Sequence, residues 1–168
     1  MSGVETKRPI KVYVAGGWKF RAKIKEIMEL LNEYQEFEVI SGWIDRENGD
    51  FSPSALASDA HFDFKEISES DVVFVVMTDP KYAYRGSFTE IGYAIGIKRP
   101  VIVWCDGAIR KQTVVHDVES DEKESVDVEY THYCMTNVFF HHKEIIQVDS
   151  LVKGIRELKK IEPGTRAT

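Results

Sequence analysis

Cysteine is scarce in this chain, two in 168 residues, and neither lies in a Cys-x-x-Cys spacing, so the sequence offers no disulfide framework or redox motif. Cys105 follows Val101-Ile102-Val103-Trp104 and Cys134 lies near an aromatic run. Both read as buried free thiols, with a disulfide between them as the lesser alternative. No apolar run approaches the roughly 18 residues that a spanning helix needs, and no signal core follows Met1-Ser2-Gly3-Val4-Glu5-Thr6-Lys7-Arg8. The expectation is a cytoplasmic protein without a membrane partner. Positive charge is outnumbered, 22 Lys and Arg against 28 Asp and Glu, a net charge of -6. Phosphate-backbone recognition needs clustered cations, so nucleic acid is not the expected partner and a small molecule is. Two further absences exclude activities. No G-x-G-x-x-G follows the first strand, which counts against a nicotinamide dehydrogenase, and no acidic pair stands there, which counts against a phosphorylated receiver domain.

What is present is one domain over residues 1–168, with 43% hydrophobic and 30% charged residues, no internal repeat and no low-complexity tract. Residues 1–8 and 163–168 read as flexible tails. Ile10-Lys11-Val12-Tyr13-Val14-Ala15 reads as a strand ending in Gly16-Gly17, a break suited to close approach of backbone and ligand. Phe20, Ile24, Ile27, Met28, Leu31 and Tyr34 then recur at helical spacing. Residues 37–44 give a second strand, and Ser52-Pro53 caps a second helix running to about Ser70. The continuous run Val72-Val73-Phe74-Val75-Val76-Met77 is expected of a strand buried on both faces. A helix from about Thr89 to Ile97, a strand over 101–105, a strand over 144–148 and a last helix capped by Ser150 complete the alternation. It predicts a doubly wound, five-stranded parallel α/β sheet with helices on both faces, Rossmann-like or flavodoxin-like in its winding. Residues 110–130 hold seven acidic residues among few large apolar ones and read as a solvated acidic loop.

The most informative stretch is Arg85-Gly86-Ser87-Phe88-Thr89-Glu90-Ile91-Gly92-Tyr93-Ala94. It leads from a strand's carboxyl end into a helix, where open α/β sheets bind their ligands. Glu90 is the candidate nucleophile, expected to be held ionised by the first helical turn. Ser87-Phe88-Thr89-Glu90 equally fits a capping box, in which Glu90 would only close back onto the Ser87 amide. Asp63 shares a helical face with Leu56, Ala60 and Ile67, a costly place for a carboxylate unless it is paired or useful. It could also lie at the stripe's edge and reach water. Two carboxylates at one pocket permit retaining glycoside cleavage. Lys19, Arg21, Lys23 and Lys25 could gather a phosphate or form a solvated basic face. The histidines lack metal-ligand spacing and read as surface residues, leaving no metal site.

Four separated segments, taken in order, resemble the nucleoside 2-deoxyribosyltransferase family. They are Val12-Tyr13-Val14-Ala15-Gly16-Gly17-Trp18, Asp63 eight residues before Asp71, Glu90-Ile91-Gly92-Tyr93-Ala94, and Asn137-Val138-Phe139-Phe140. The resemblance implies that Glu90 attacks C1′ of a 2′-deoxynucleoside and that Tyr13 orients it. It further implies that Asp63 contacts substrate and assists protonation of the leaving base. Gly16, Gly17, Trp18, Tyr84, Arg85, Gly86 and Ser87 would then line the substrate site. Asn137 would complete a neighbouring subunit's site, which implies a homo-oligomer, and no metal or organic cofactor is needed. The family pattern has an aspartate six residues before the glutamate, where this chain has Tyr84. Arg85 and Ser87 instead resemble groups that could hold a 5′-phosphate, as in the related 2′-deoxynucleoside 5′-phosphate N-hydrolases, which pass the sugar to water. A nucleotide-binding module without turnover is the third alternative, and the acidic stretch 110–130 has no counterpart in the resemblance.

Overall fold

Val72–Val76 (β3) forms the centre of the sheet with all five residues buried, in a computed structural model that describes residues 7–46, 51–107, 109–116 and 124–164. Ile10–Gly16 (β1) and Val101–Trp104 (β4) flank it, and Phe37–Val39 (β2) and Ile145–Val148 (β7) form the edges. The order is β2-β1-β3-β4-β7, every neighbour parallel. This is the expected doubly wound, five-stranded parallel sheet. The connections carry helices Arg21–Asn32 (α1), Pro53–Glu69 (α2) and Arg85–Gly96 (α3), and Leu151–Leu158 (α4) follows β7. The chain winds outward from β1 to β2, returns past β1 to β3, and then winds outward the other way. The reversal opens a crevice beyond the carboxyl ends of β1 and β3, between Gly16-Gly17 and Met77-Thr78-Asp79.

Local chemistry explains the helix positions. Ser52 accepts a hydrogen bond from the Ala55 amide at 3.3 Å, and Pro53 occupies the first helical position of α2. Ser150 does the same for α4 through the Lys153 amide at 3.4 Å. α1 buries Ile24, Ile27, Met28 and Leu31 as one stripe. α4 lies close on the sheet because Gly154 has no Cβ, which would sit 2.8 Å from the Phe74 ring. α2 and α3 are joined by the Phe64–Tyr93 stack at 4.3 Å, and just beyond α3 the Arg99 guanidinium donates to the Ser68 carbonyl of α2 at 2.6 Å. No described helix is long and apolar enough to cross a membrane.

Three expectations need correction. β2 stops at Val39 rather than at residue 44, and Trp43–Asp45 form a 3₁₀ turn. Val14 faces the missing strand, yet its amide donates to the Ser41 hydroxyl and its carbonyl accepts from the Trp43 indole at 2.7 Å. Side chains have replaced two ladder bonds, so the strand need not continue. The acidic stretch 110–130 contains two antiparallel strands, Ile109–His116 (β5) and Glu124–Tyr130 (β6). Val126, Val128 and Tyr130 alternate with Ser125, Asp127 and Glu129, a period of two that the count of charges obscured. Residues 117–123 lie outside the described residues. The expected tails, finally, are tied down where they are described. Asp71 accepts from both Arg8 Nη atoms at 2.7 and 2.9 Å, from the Lys11 amide at 2.9 Å and from the Gly164 amide at 2.8 Å.

Burial alone would push the Asp71 carboxyl up, but Arg8 and the two amides outweigh it and hold it below its ordinary value of 3.8. A depressed folded pKa gives stability that is present above the unfolded value and lost as pH falls through the folded one. Asp71→Asn should therefore cost about 2 kcal/mol at pH 7, and the gap should narrow as pH falls below 3.8 and through the depressed folded value, where the parent carboxyl takes up its proton. Urea midpoints of parent and variant across pH measure both, and equal midpoints at pH 7 would contradict the clamp.

Candidate active site

β1 buries Tyr13 completely, and its hydroxyl donates to Glu90 Oε1 on α3 at 2.6 Å. A buried phenol beside carboxylates is pushed well above its ordinary range, chiefly by burial and then by the charges of Glu90 and Asp63. Tyr13 therefore stays protonated and can act only as a donor to Glu90 through this hydroxyl hydrogen. The helix carrying Glu90 starts earlier than its sequence suggests. α3 begins at Arg85, with Tyr84 as N-cap in the left-handed region at φ 48° and ψ 40°. Ser87 is thus inside the helix, and Glu90 bonds to Tyr13 rather than closing a capping box.

The same register changes the electrostatics. Glu90 is the sixth residue of α3, beyond the first turn in which the helix dipole acts strongly. Burial raises its carboxyl to about 8, the Tyr13 hydrogen bond pulls against that, and the Asp63 charge adds to it. The expectation of a dipole-held carboxylate is therefore wrong, because desolvation outweighs the dipole here.

Asp63 faces this centre from α2 and is not free in solvent. Arg46 Nη2 donates to its Oδ1 at 2.8 Å, and Arg46 also donates to the Asp59 carbonyl at 3.3 Å. Burial raises the Asp63 pKa, with Arg46 opposing. Arg46 is the site residue that sequence reading passed over, since it stands in a polar stretch with no periodicity. The available signal was its nearness in sequence to α2, where Asp59, Asp63 and Glu66 share a face and call for a cation. Glu66 meets a different need, accepting from the Gly42 amide at 3.0 Å.

A cleft of about 340 Å³ is lined by Gly16, Gly17 and residues 81–87, and Tyr13, Asp63 and Glu90 are not among its lining residues. It gathers six of the expected substrate-binding residues: Gly16, Gly17, Tyr84, Arg85, Gly86 and Ser87. Ser87 and Glu90 are three apart on α3, so the cleft and the carboxyl share a helix face. A Cβ on Gly17 would stand 2.7 Å from the Tyr82 ring, so glycine is what lets the loop 78–84 close over the end of β1. Tyr84 is buried, its oxygen accepting from the Asp79 amide at 2.8 Å, and burial pushes its pKa up to about 12. Its hydroxyl shapes the loop.

Two expected residues stand apart from the cleft lining. Trp18 is exposed, 6.0 Å from the Trp43 ring and under the Arg21 guanidinium at 5.0 Å. Asn137 accepts from the Phe139 amide at 2.9 Å and caps the 3₁₀ turn Val138–His141. The basic residues of α1 do not converge either: Lys25 pairs with Asp45 at 2.8 Å, and Lys19 and Lys23 lie over Phe20 and Trp104. His132, expected at the surface, is 1% exposed.

A family model described as nucleoside 2-deoxyribosyltransferase matches residues 12–127. Among solved structures, a 2-deoxyribosyltransferase from Bacillus psychrosaccharolyticus is similar at a TM-score of 0.46 and 20% identity, over 56% of this chain and 72% of that one. A CMP N-glycosidase from Clostridium botulinum is similar at a TM-score of 0.46 and 18% identity, over 89% of this chain and 98% of that one. No curated protein matches the chain.

A carboxyl whose folded pKa lies above its unfolded 4.5 contributes stability below 4.5 and loses it as pH rises through about 8. Glu90→Gln removes that loss while keeping an acceptor for Tyr13. The variant should be more stable than the parent at pH 8 by about 1–2 kcal/mol and equal to it near pH 4. Thermal melts at the two pH values measure it, and a variant less stable at pH 8 would count against the raised carboxyl.

Proposed function

Because the chain belongs to the nucleoside 2-deoxyribosyltransferase family, whose members are N-glycosyl transferases or N-glycosidases, we propose that it cleaves the N-glycosidic bond of 2′-deoxynucleosides and passes the sugar to another base. The observation that carries this reading is the 2.6 Å hydrogen bond from buried Tyr13 to Glu90, beside a second carboxyl on α2. In the first step a Glu90 oxygen attacks C1′ while the bond from C1′ to the base nitrogen breaks, its electron pair leaving with the base. Asp63 supplies the proton that the departing base takes up. The sugar is then held as an ester on Glu90. In the second step a nitrogen of the incoming base attacks C1′, Glu90 leaves as carboxylate, and the proton released returns to Asp63. Two inversions give net retention.

Each neighbour has a distinct task. Tyr13 donates to the carboxylate that leaves in the second step, so it stabilises ionised Glu90. Arg46 holds Asp63 in place and opposes the accumulation of two negative charges. A desolvated carboxylate is a stronger nucleophile than a hydrated one, which is the use of the burial that raises Glu90. The Asn137 segment is the part of the proposal that concerns assembly: a homo-oligomer in which Val138 and Phe139, both exposed here, meet a neighbouring subunit.

Hydrolysis of a 2′-deoxynucleoside 5′-phosphate is the second reading, favoured by one observation. The cleft at the start of α3 is lined by Lys81, Arg85, Ser87 and the backbone there, a setting that suits an anion.

Incubation with deoxyinosine and free adenine should yield deoxyadenosine, and Glu90→Gln should reduce that exchange by roughly 10³-fold or more. Base release confined to 5′-phosphates, without exchange, would replace the transferase reading by the hydrolase. The pair must share one proton, Glu90 ionised and Asp63 protonated, so kcat/KM should fall as pH rises through about 8, where that proton is lost. Tyr13→Phe removes a donor to the carboxylate and should move that limb to higher pH. A limb that stays in place or moves down would contradict the role given to Tyr13.

A further inference from the structure

Away from the carboxyl centre, one cluster of reactive side chains has no part in the chemistry above. Cys105 directly follows β4, and His132 and Cys134 lie at the entry to the 3₁₀ turn Tyr133–Thr136. All three are buried, at 4%, 1% and 0% exposure, and one ligand atom from each falls within 4.8 Å of the others. The two sulfurs are 3.3 Å apart. His132 Nδ1 accepts from the Cys134 amide at 3.3 Å, while its Nε2 is buried with no hydrogen-bond partner. An unpartnered imidazole nitrogen in the interior costs free energy unless something absent from the polypeptide satisfies it.

We propose that Cys105, His132 and Cys134 form a binding site for a thiolate-preferring divalent metal ion, zinc in the first instance. The donor set is the soft one that zinc takes, two sulfurs and an imidazole nitrogen. Tetrahedral zinc with bonds of about 2.3 Å to sulfur sets two thiolates about 3.8 Å apart, a small opening of the present pair. A disulfide would use only the two sulfurs and leave the imidazole nitrogen as it is, whereas a metal ion accounts for all three groups. The sequence pattern has the form of a chelate, with His132 and Cys134 one residue apart on a single bend and Cys105 reaching them from the sheet.

A Cβ on Gly107 would collide with the His132 Cβ, so the turn after Cys105 is packed directly against the histidine.

The site has a structural consequence for the catalytic end of the sheet. The His132 ring stacks on Tyr84 at 6.2 Å, and the Tyr133 amide donates to the Pro80 carbonyl at 2.8 Å. A metal held here would fasten the carboxyl end of β4 to the loop that carries Tyr84, and so to the start of α3.

The test is cobalt substitution. The full-length protein, purified with reductant and freed of metal by a chelator, is titrated with Co(II) and followed by absorption. The proposal expects stoichiometric binding with a thiolate-to-cobalt charge-transfer band and the intense visible bands of tetrahedral cobalt. Zinc should abolish the bands, Cys105→Ser and Cys134→Ser should each lose most of the charge-transfer intensity, and added zinc should raise the melting temperature of the parent alone. A parent that stays folded by circular dichroism but gives no charge-transfer band would overturn the site. So would a band unchanged in both serine variants, or a Cys105–Cys134 disulfide recovered by peptide mass spectrometry from the reduced preparation.

Discussion

The hydrogen bond from Tyr13 to Glu90 is the constraint around which the rest of the site is arranged. It ties the second strand from the centre of the sheet to the helix that follows the central strand, across the point where the winding reverses. To make it, a phenol and a carboxyl must both leave water, and only a rigid frame can hold them there. The frame consists of fully buried β3, the Phe64–Tyr93 stack between α2 and α3, and a helix start fixed at Arg85 by the left-handed Tyr84. The left-handed backbone at Tyr84 thereby sets the register that turns Glu90 away from the helix end and toward Tyr13.

The two ends of the sheet manage charge in opposite ways. At the amino end Asp71 is surrounded by donors and its carboxyl is held down, so the buried charge is satisfied and serves the fold. At the carboxyl end Glu90 receives a single donor among the described residues, faces the charge of Asp63 and is pushed up. The contrast between a saturated and an unsaturated buried carboxyl is a usual mark of a functional group. It also implies a trade, since the arrangement that activates Glu90 destabilises the folded protein at neutral and alkaline pH.

Much of the frame was legible in the sequence for simple reasons. Continuous β-branched runs such as 72–76 mark strands buried on both faces, and Ser52-Pro53 and Ser150 mark helix starts through hydrogen bonds that need only local chain. Tyr13, Asp63 and Glu90 could be singled out, but their environment could not. The start of α3 depends on one backbone angle at Tyr84, which no residue preference announces. Arg46 and His132 were missed for a related reason: each acquires its meaning from a partner distant in sequence, Asp63 for one and Cys105 for the other. The strand at 124–130 was hidden behind its acidic residues, although its alternation was present all along.

The central claim is that Glu90 itself becomes bonded to the sugar. Rapid acid quenching of enzyme mixed with excess deoxynucleoside, followed by digestion and peptide mass spectrometry, tests it directly. The account predicts a deoxyribosyl ester on the peptide containing Glu90, formed on the timescale of base release and discharged by added nucleobase. Base release with no adduct, or an adduct carried on Asp63, would contradict it.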